Sequence, residues 1–87
     1  MNFTVDKNQP LKDIVLMNKS ETLIQLGSRI REIRNRKKMT QENLAEGCNC
    51  EKANISRIES GQTNLTLRSL YKIAKALDVH ITELFID

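Results

Sequence analysis

The stretch MTQENLAEGCNCEKANISRIESG, residues 39–61, decides the fold. Thr40 supplies a capping hydroxyl ahead of strong helix formers with a glutamate in the first turn, which predicts a short helix over about 41–47. Asn49 follows this helix, and asparagine is second only to glycine in adopting the left-handed conformation that ends a helix. We therefore expect the two flanking cysteines to point inward as small apolar groups.

A second short helix is predicted over about 51–60, with Gly61 as its stop. Ile55 and Ile58 are the only large apolar residues of this segment, so they are expected to form its buried side. A helix needed only for packing does not require polar groups over the rest of its surface. Here that surface consists of Lys52, Ala53, Asn54, Ser56, Arg57 and Ser60.

Two longer helices are predicted to flank this pair. One spans about 21–37 with Ser20 as its N-cap, and the other spans about 67–77 with Thr66 as its cap. Their apolar residues recur at three and four positions, the spacing that faces a core. These stripes are Leu23, Leu26, Ile30 and Ile33 in the earlier helix, and Leu67, Leu70, Ile73, Ala74 and Leu77 in the later one.

The chain end is predicted to form a last short helix over about 83–86, capped by Thr82. It is expected to deliver three apolar side chains to the core, Ile81, Leu84 and Phe85. No convincing strand pattern is present in the sequence. The predicted fold class is therefore all-α, a compact domain of five helices.

The N-terminal segment has a different composition from the rest. Residues 1–19 mix polar residues with the only proline and a short apolar stretch. We predict a partly mobile arm over 1–19, followed by one domain over 20–87. The apolar stretch from Leu11 to Met17 is too hydrophobic to remain in water as a contiguous patch. We expect it to dock, either in a homodimer interface or against a helix of its own chain.

Length and hydropathy exclude several classes of protein. The chain has 87 residues, of which 39% are apolar, and such a chain is expected to form one domain with one core. Its longest apolar run, residues 14–17, is far shorter than the roughly 20 residues of a membrane-spanning helix. No secretory signal is readable, so we expect no membrane partner and a cytoplasmic location.

Positive charge is concentrated in one segment. Residues 23–38 carry six basic side chains and one acidic side chain, whereas the whole chain has a formal net charge of +3. A basic segment of this kind suits a polyanion, and it equally suits a solvated helix face. The charge therefore does not decide the function by itself.

The reactive residues disfavour catalysis and cofactors. His80 is the only histidine, and no nucleophile with its base, carboxylate pair or metal-ligand set can be assembled with it, so no catalytic residue, metal site or cofactor is predicted. Cys48 and Cys50 are too close for an easy structural disulfide, and a redox switch there is a minor alternative. One tyrosine and two phenylalanines offer no stacking platform for single-stranded nucleic acid.

Four stretches in a fixed order carry a family resemblance. They are LGSRIREIR at 26–34, MTQENLA at 39–45, ISRIESG at 55–61 and LYKIAKAL at 70–77. In this order they resemble the phage-repressor and Cro-like (Xre-type) family of helix-turn-helix DNA-binding domains, over about residues 23–86. The resemblance implies a five-helix lambda-repressor-like domain. Its two short helices would be joined by a tight four-residue turn, and the second would be the recognition helix.

The resemblance also implies roles for individual residues. Arg34 and Glu59 match a family ion pair that joins the first helix to the end of the recognition helix. Lysine and arginine suit guanine, asparagine suits adenine, and an alanine methyl meets the thymine methyl. The implied base-reading residues are Lys52, Ala53, Asn54 and Arg57, and the implied phosphate-contacting residues are Thr40, Gln41, Gln62, Thr63 and Asn64.

Three positions depart from the family pattern. Leu65 stands where many relatives have proline, which leaves the loop less constrained. Asn49 replaces the customary glycine. Glu51 stands where a serine or aspartate cap is usual, and it places a negative charge at the tip of the recognition helix. That carboxylate either accepts from cytosine N4 or repels phosphate.

The resemblance implies a sequence-specific regulator of transcription that binds double-stranded DNA. It would act as a homodimeric repressor on a pseudo-palindromic operator, with half-sites about 10 bp apart or a multiple of that. An antitoxin that represses its own gene, with a toxin as its protein partner, would bind DNA in the same way, and the sequence does not separate it from a stand-alone repressor. A protein-interaction module that works through the N-terminal arm is the alternative from a different class.

Overall fold

The computed structural model describes residues 19–85, which form four α-helices and a 3-10 helix. Of the segment predicted as an arm, residues 1–19, residues 1–18 lie outside the described residues, and Lys19 is already helical. No strand occurs between residues 19 and 85, and the all-α prediction is confirmed. In chain order the elements are α1 (Lys19–Arg36), α2 (Gln41–Cys48), α3 (Lys52–Glu59), α4 (Leu67–Leu77) and the 3-10 helix (Ile81–Phe85).

The helix boundaries agree with the sequence pattern in the middle of the chain and differ at its two ends. The bounds of α4 are those predicted, α2 is one residue longer at its end, and α3 is one residue shorter at each end. α1 begins at Lys19, so Ser20 lies in its first turn and the predicted N-cap there is wrong. Thr82 is not a cap either, because it lies inside the last helix. That helix is 3-10 and begins at Ile81.

The predicted caps of α2 and α4 are confirmed. Thr40 Oγ1 accepts from the backbone N–H of Asn43 at 3.0 Å, and Asn43 Oδ1 accepts from the Thr40 N–H at 2.9 Å. Thr66 Oγ1 likewise accepts from the Ser69 N–H at 3.1 Å. Asn49 ends α2 in the left-handed conformation, with φ 56° and ψ 47°. Both ends of the short α2 are therefore fixed by residues that the sequence identified.

The core collects apolar residues from all five helices. Three predicted members lie outside the core: Leu23 is half-buried, Leu67 is 71% exposed and Phe85 is 58% exposed. Leu67 is the first residue of α4, one turn before the buried stripe begins. Phe85 is displaced because a 3-10 helix repeats every three residues, which places Ile81 and Leu84 on one side and Phe85 on another. The core consists of Leu26, Ile30, Ile33, Leu44, Ala45, Cys48, Ile55, Ile58, Leu70, Ile73, Ala74, Leu77 and Leu84.

A buried carboxylate fixes α3 to α1. The side chain of Glu59, the last residue of α3, is 0% exposed. Arg34 on α1 donates from Nε to Glu59 Oε2 at 2.6 Å and from Nη2 to Glu59 Oε1 at 3.1 Å. Its Nη1 donates to the carbonyl of Met39 at 2.7 Å. One guanidinium thus holds together α1, the turn before α2 and the end of α3.

Two more side chains complete the environment of Glu59. Gln41 Nε2 donates to Glu59 Oε1 at 3.0 Å, and Arg31 Nε lies 3.4 Å from the same oxygen. Burial raises the pKa of Glu59, but hydrogen bonds from Arg34 and Gln41 and the positive charge of Arg34 outweigh burial and hold the pKa below its ordinary value of 4.5. Glu59 is therefore a buried, charged anchor.

Gly27 allows α1 and α3 to approach closely beside this anchor. A Cβ atom at position 27 would collide with the carbonyl oxygen of Ile58 and would lie 2.7 Å from the carbonyl oxygen of Glu59. The backbone of α1 therefore packs directly on the last turn of α3. The sequence contains this glycine within the LGSRIREIR stretch, but only the structure shows that it is needed for the contact.

Replacing Glu59 with alanine is expected to destabilise the protein. The substitution leaves the guanidinium of Arg34 buried without its carboxylate, and removal of one partner of a buried pair costs about 3 kcal/mol or more. The free energy of unfolding, measured by urea denaturation without DNA, should fall by that amount. Glu46→Ala, which removes an exposed glutamate of α2, is the control and should change stability by less than about 0.5 kcal/mol. Equal stability of the two variants would contradict this role.

The contribution of Glu59 to stability should disappear in acid. Its pKa is lower in the folded chain than the value of 4.5 expected when it is exposed, so the unfolded chain binds the proton first. The stabilisation is therefore present above about pH 4.5 and is lost as the pH falls through the folded pKa. The difference in unfolding free energy between the wild type and Glu59→Gln should shrink below pH 4.5. A difference that stays constant from pH 7 to pH 3 would be inconsistent with a charged anchor.

Candidate nucleic-acid interface

The two short helices and their connection form a compact helix-turn-helix. Three residues, 49–51, separate α2 from α3, one fewer than the four-residue turn that the family resemblance implied. Cys50 N–H donates to the carbonyl of Ala45 at 2.9 Å and closes the turn. Leu44 on α2 and Ile55 on α3 are fully buried. The orientation of α3 is therefore set on its inner side by packing and at its end by Glu59.

The outer side of α3 is a continuous polar surface. Lys52, Ala53, Ser56 and Arg57 are all exposed. The 100° step of an α-helix places Ala53, Ser56 and Arg57 on the side opposite the two buried isoleucines, and Lys52 at the edge of that side. We call these four residues the α3 outer face. It combines two cations with a methyl group and a hydroxyl, which are groups that can contact base edges.

Two residues of α3 differ from what the sequence predicted for the base-reading set. Asn54 is half-buried and lies beside a small cavity that Cys48 and Lys72 also line, so its side of the helix is turned towards α4. Ser56 was not in the predicted set, although it is exposed between Lys52 and Arg57. The 3.6-residue period of the helix was the signal that placed Ser56 on the outer face.

Glu51 lies at the start of α3 with its carboxylate free for other interactions. It occupies the N-cap position with φ −91° and ψ 150°, but its side chain makes no capping hydrogen bond. The side chain is exposed. The negative charge that the sequence places at the tip of this helix is therefore presented to solvent beside Lys52.

Thr40 and Gln41 lie at the N-terminus of α2, where backbone N–H groups have no partner within the helix. Thr40 Oγ1 is used as the acceptor of the helix cap, and its hydroxyl hydrogen remains available as a donor. Gln41 is half-buried, with one amide hydrogen directed to Glu59 Oε1 at 3.0 Å. This contact was not expected from the sequence, and it leaves the second amide hydrogen of Gln41 free.

The loop after α3 holds the remaining predicted phosphate contacts. Gly61 has φ 75°, a conformation that glycine adopts without strain. Gln62 and Asn64 are exposed and Thr63 is half-buried. The backbone N–H of Gln62 donates to the carbonyl of Arg57 at 2.9 Å, so at this residue the exposed side chain, and not the N–H, is available to a ligand.

Cys48, the buried cysteine beside the turn, has little of the character of a reactive thiol. Cys48 is buried, as expected, and Cys50 is half-buried. Burial and the neighbouring Cys50 raise the pKa of Cys48 to about 11. A thiol with such a pKa is neutral at pH 7 and a poor nucleophile. Within residues 19–85, no group of three or more histidine, cysteine, aspartate or glutamate side chains is arranged to hold a metal ion.

His80 lies on the surface before the 3-10 helix. Its backbone N–H donates to Glu83 Oε2 at 3.3 Å. Among the helices of the described segment, none is both long enough and apolar enough to span a membrane.

Comparison with known proteins identifies the family to which this chain is similar. The helix-turn-helix family matches residues 30–84. An uncharacterized HTH-type transcriptional regulator of Archaeoglobus fulgidus is 42% identical over 59 residues, which cover 68% of this chain and 84% of the relative.

Solved structures agree with the sequence match. The restriction-modification controller protein C.AhdI of Aeromonas hydrophila superposes with a TM-score of 0.73 and 37% identity, over 75% of this chain and 98% of that protein. The controller protein C.Esp1396I, as a tetramer in complex with its natural 35 base-pair operator, gives a TM-score of 0.69 and 41% identity, over 74% and 84% of the two chains. The chain belongs to the helix-turn-helix family of transcriptional regulators.

Proposed function

We propose that this protein regulates transcription by binding double-stranded DNA with sequence specificity through α3. The observation that carries the proposal is the α3 outer face, which is exposed, while the opposite side of the same helix is buried and locked to α1 through Glu59. A rigid helix of eight residues with one polar side fits the major groove of B-DNA.

The proposed contacts divide into two kinds. Lys52 and Arg57 read guanine through O6 and N7, and the methyl of Ala53 contacts thymine. Asn54 remains in the proposed base-reading set, at the edge of the interface nearest α4. Contacts to the phosphates on either side of the groove come from Thr40 and Gln41 at the start of α2 and from the loop residues Gln62, Thr63 and Asn64. Phosphate contacts position the protein, and base contacts specify the sequence.

We propose that the active form is a homodimer that represses by occupying a pseudo-palindromic operator. The related C.Esp1396I binds its operator as a tetramer, which supports an oligomer here. The surface of the described residues supports it too, because Leu67, Tyr71 and Phe85 are 71%, 65% and 58% exposed. A second copy of the chain could cover such side chains while placing two copies of α3 on one face of the DNA.

A more specific role for this protein, suggested by its relatives, is control of restriction–modification genes. Two solved controller proteins share 37% and 41% identity with this chain over about three quarters of its length. The relatives named above are regulators or controllers, and none of them is described as an antitoxin. We therefore propose operator DNA and a second copy of the chain as the partners.

The proposed function is tested by selecting bound duplexes from a random pool. The full chain is expected to recover a common sequence with two-fold symmetry and half-sites about one helical turn apart, or a multiple of that. Recovery of duplexes with no shared sequence would overturn sequence-specific regulation. It would favour the alternative in which the helical domain only carries the N-terminal arm to a protein partner.

The base-reading and phosphate-contacting residues should give different mutant profiles. Arg57→Ala and Lys52→Ala are expected to relax the preference at particular operator positions, each by about 1–3 kcal/mol. Gln41→Ala should instead weaken binding to all sequences alike. The measurement is competitive binding of each variant to the selected operator and to its single-base variants.

Arg36→Ala is the matched control, because Arg36 is an exposed cation at the end of α1. It should leave the preference at every position unchanged. A thermal melt of Gln41→Ala without DNA separates two effects. A lower melting temperature reports loss of the hydrogen bond to Glu59, whereas weaker DNA binding at an unchanged melting temperature reports loss of a phosphate contact. If Arg57→Ala kept the wild-type preference profile, α3 would not be the reading helix.

The arm, proposed to span residues 1–19, is expected to contribute to the dimer through residues 10–18. Its apolar residues are the physical reason, since water is a poor environment for them. Deletion of residues 1–18 should give a folded monomer with weakened operator binding, detected by sedimentation and by circular dichroism. An undiminished dimer would show that the interface lies elsewhere and would fit an arm that packs on its own chain.

A further inference from the structure

Two arginines of α1 approach Glu59 in different ways. The side chain of Arg34 is 11% exposed, and all three of its nitrogens donate to Glu59 or to Met39. The side chain of Arg31 is 52% exposed, and it reaches Glu59 Oε1 only through Nε at 3.4 Å. That distance is at the long end for an N–H···O hydrogen bond. Arg34 is committed to the fold, whereas Arg31 is held only weakly.

The terminal nitrogens of Arg31 are available for another ligand. Neither Nη1 nor Nη2 of Arg31 donates a hydrogen bond to any residue between 19 and 85. A guanidinium presents these donors as a planar fork that matches two oxygens of a phosphate. The weak contact through Nε keeps Arg31 beside the end of α3, while its side chain stays exposed.

The charges around Glu59 do not cancel. One carboxylate faces two guanidinium groups and the neutral amide of Gln41. Arg34 neutralises the carboxylate within the protein interior, so the excess positive charge lies on the exposed Arg31. Fixed surface charge of this sign attracts a polyanion.

We propose that Arg31 is a further phosphate-contacting residue, which binds the same stretch of DNA backbone as Gln41. Arg31 comes from α1 and Gln41 from the start of α2, yet both donate to Glu59 Oε1, at 3.4 Å and 3.0 Å. Two donors that converge on one oxygen are close enough to bind the same phosphate. This inference rests on the proposed function, since it takes duplex DNA as the ligand.

Glu59 acts in this arrangement as a positioning residue. It accepts one amide hydrogen of Gln41 and the Nε–H of Arg31, which leaves the second amide hydrogen and the terminal nitrogens of the exposed Arg31 for the ligand. The same carboxylate fixes the end of α3. The base-reading helix and this backbone contact are therefore set relative to each other by one buried group.

The test is the salt dependence of binding to the selected operator. The logarithm of the association constant falls linearly with the logarithm of the salt concentration. On B-DNA each phosphate that a cation neutralises makes this slope more negative by about 0.9. Arg31→Ala should therefore make the slope less steep by about 0.9, whereas Arg31→Lys should retain most of it. Arg36→Ala is the matched control on the same helix. Arg36 follows Arg31 by five residues, so the helix places the two side chains on different sides. The slope measured for Arg36→Ala should therefore equal that of the wild type.

The possible outcomes separate this inference from the proposed function. A wild-type chain that binds no duplex specifically at any salt concentration overturns the proposed function. Operator binding with the same slope for Arg31→Ala and wild type overturns the role of Arg31 alone. A lower melting temperature for Arg31→Ala with an unchanged slope would also overturn it, by showing that Arg31 acts only through Glu59. Equal losses of slope for Arg31→Ala and Arg36→Ala would show general charge attraction in place of a specific contact.

Discussion

The buried carboxylate of Glu59 is the interaction on which the arrangement of this protein depends. α3 has eight residues, and isolated helices of that length are not stable in water. It has two large apolar side chains with which to pack, and its first residues lack a side-chain cap. Glu59 compensates at the other end by joining α3 to Arg34 of α1 at 2.6 Å. That joint fixes the end of α3, while Ile55 and Ile58 fix its inner side by packing.

Much of the fold could be predicted because its signals are local. The caps at Thr40 and Thr66 depend on a hydroxyl and the next three residues, and the left-handed turn at Asn49 depends mainly on one side chain. The bounds of α4 follow from a regular stripe of buried residues between two such signals. The pairing of Arg34 with Glu59, 25 residues apart, is different. It was accessible only through resemblance to a family, since no local pattern links the two positions.

What could not be predicted depends on contacts between distant segments or on a small change of helix geometry. Gly27 is one glycine among three in the sequence, and nothing local shows that it meets the carbonyl groups at the end of α3. The exposure of Phe85 follows from the 3-10 geometry of the last helix, because an α-helix would have placed it on the side of Ile81 and Leu84. The half-burial of Asn54 likewise depends on where α4 lies.

The separation of the inner and outer sides of α3 explains how a small domain can combine a rigid frame with a variable surface. The packing of α3 uses Ile55, Ile58 and Glu59, which all lie on its inner side. The outer side carries no part of the core, so substitutions there change the chemistry offered to a ligand at little cost in stability. Glu51 illustrates this freedom, because an unusual residue at the tip of α3 is accepted without a capping bond. If α3 reads DNA as proposed, relatives that share the frame would differ in the sequence they read, since phosphate contacts position a protein and base contacts specify the sequence.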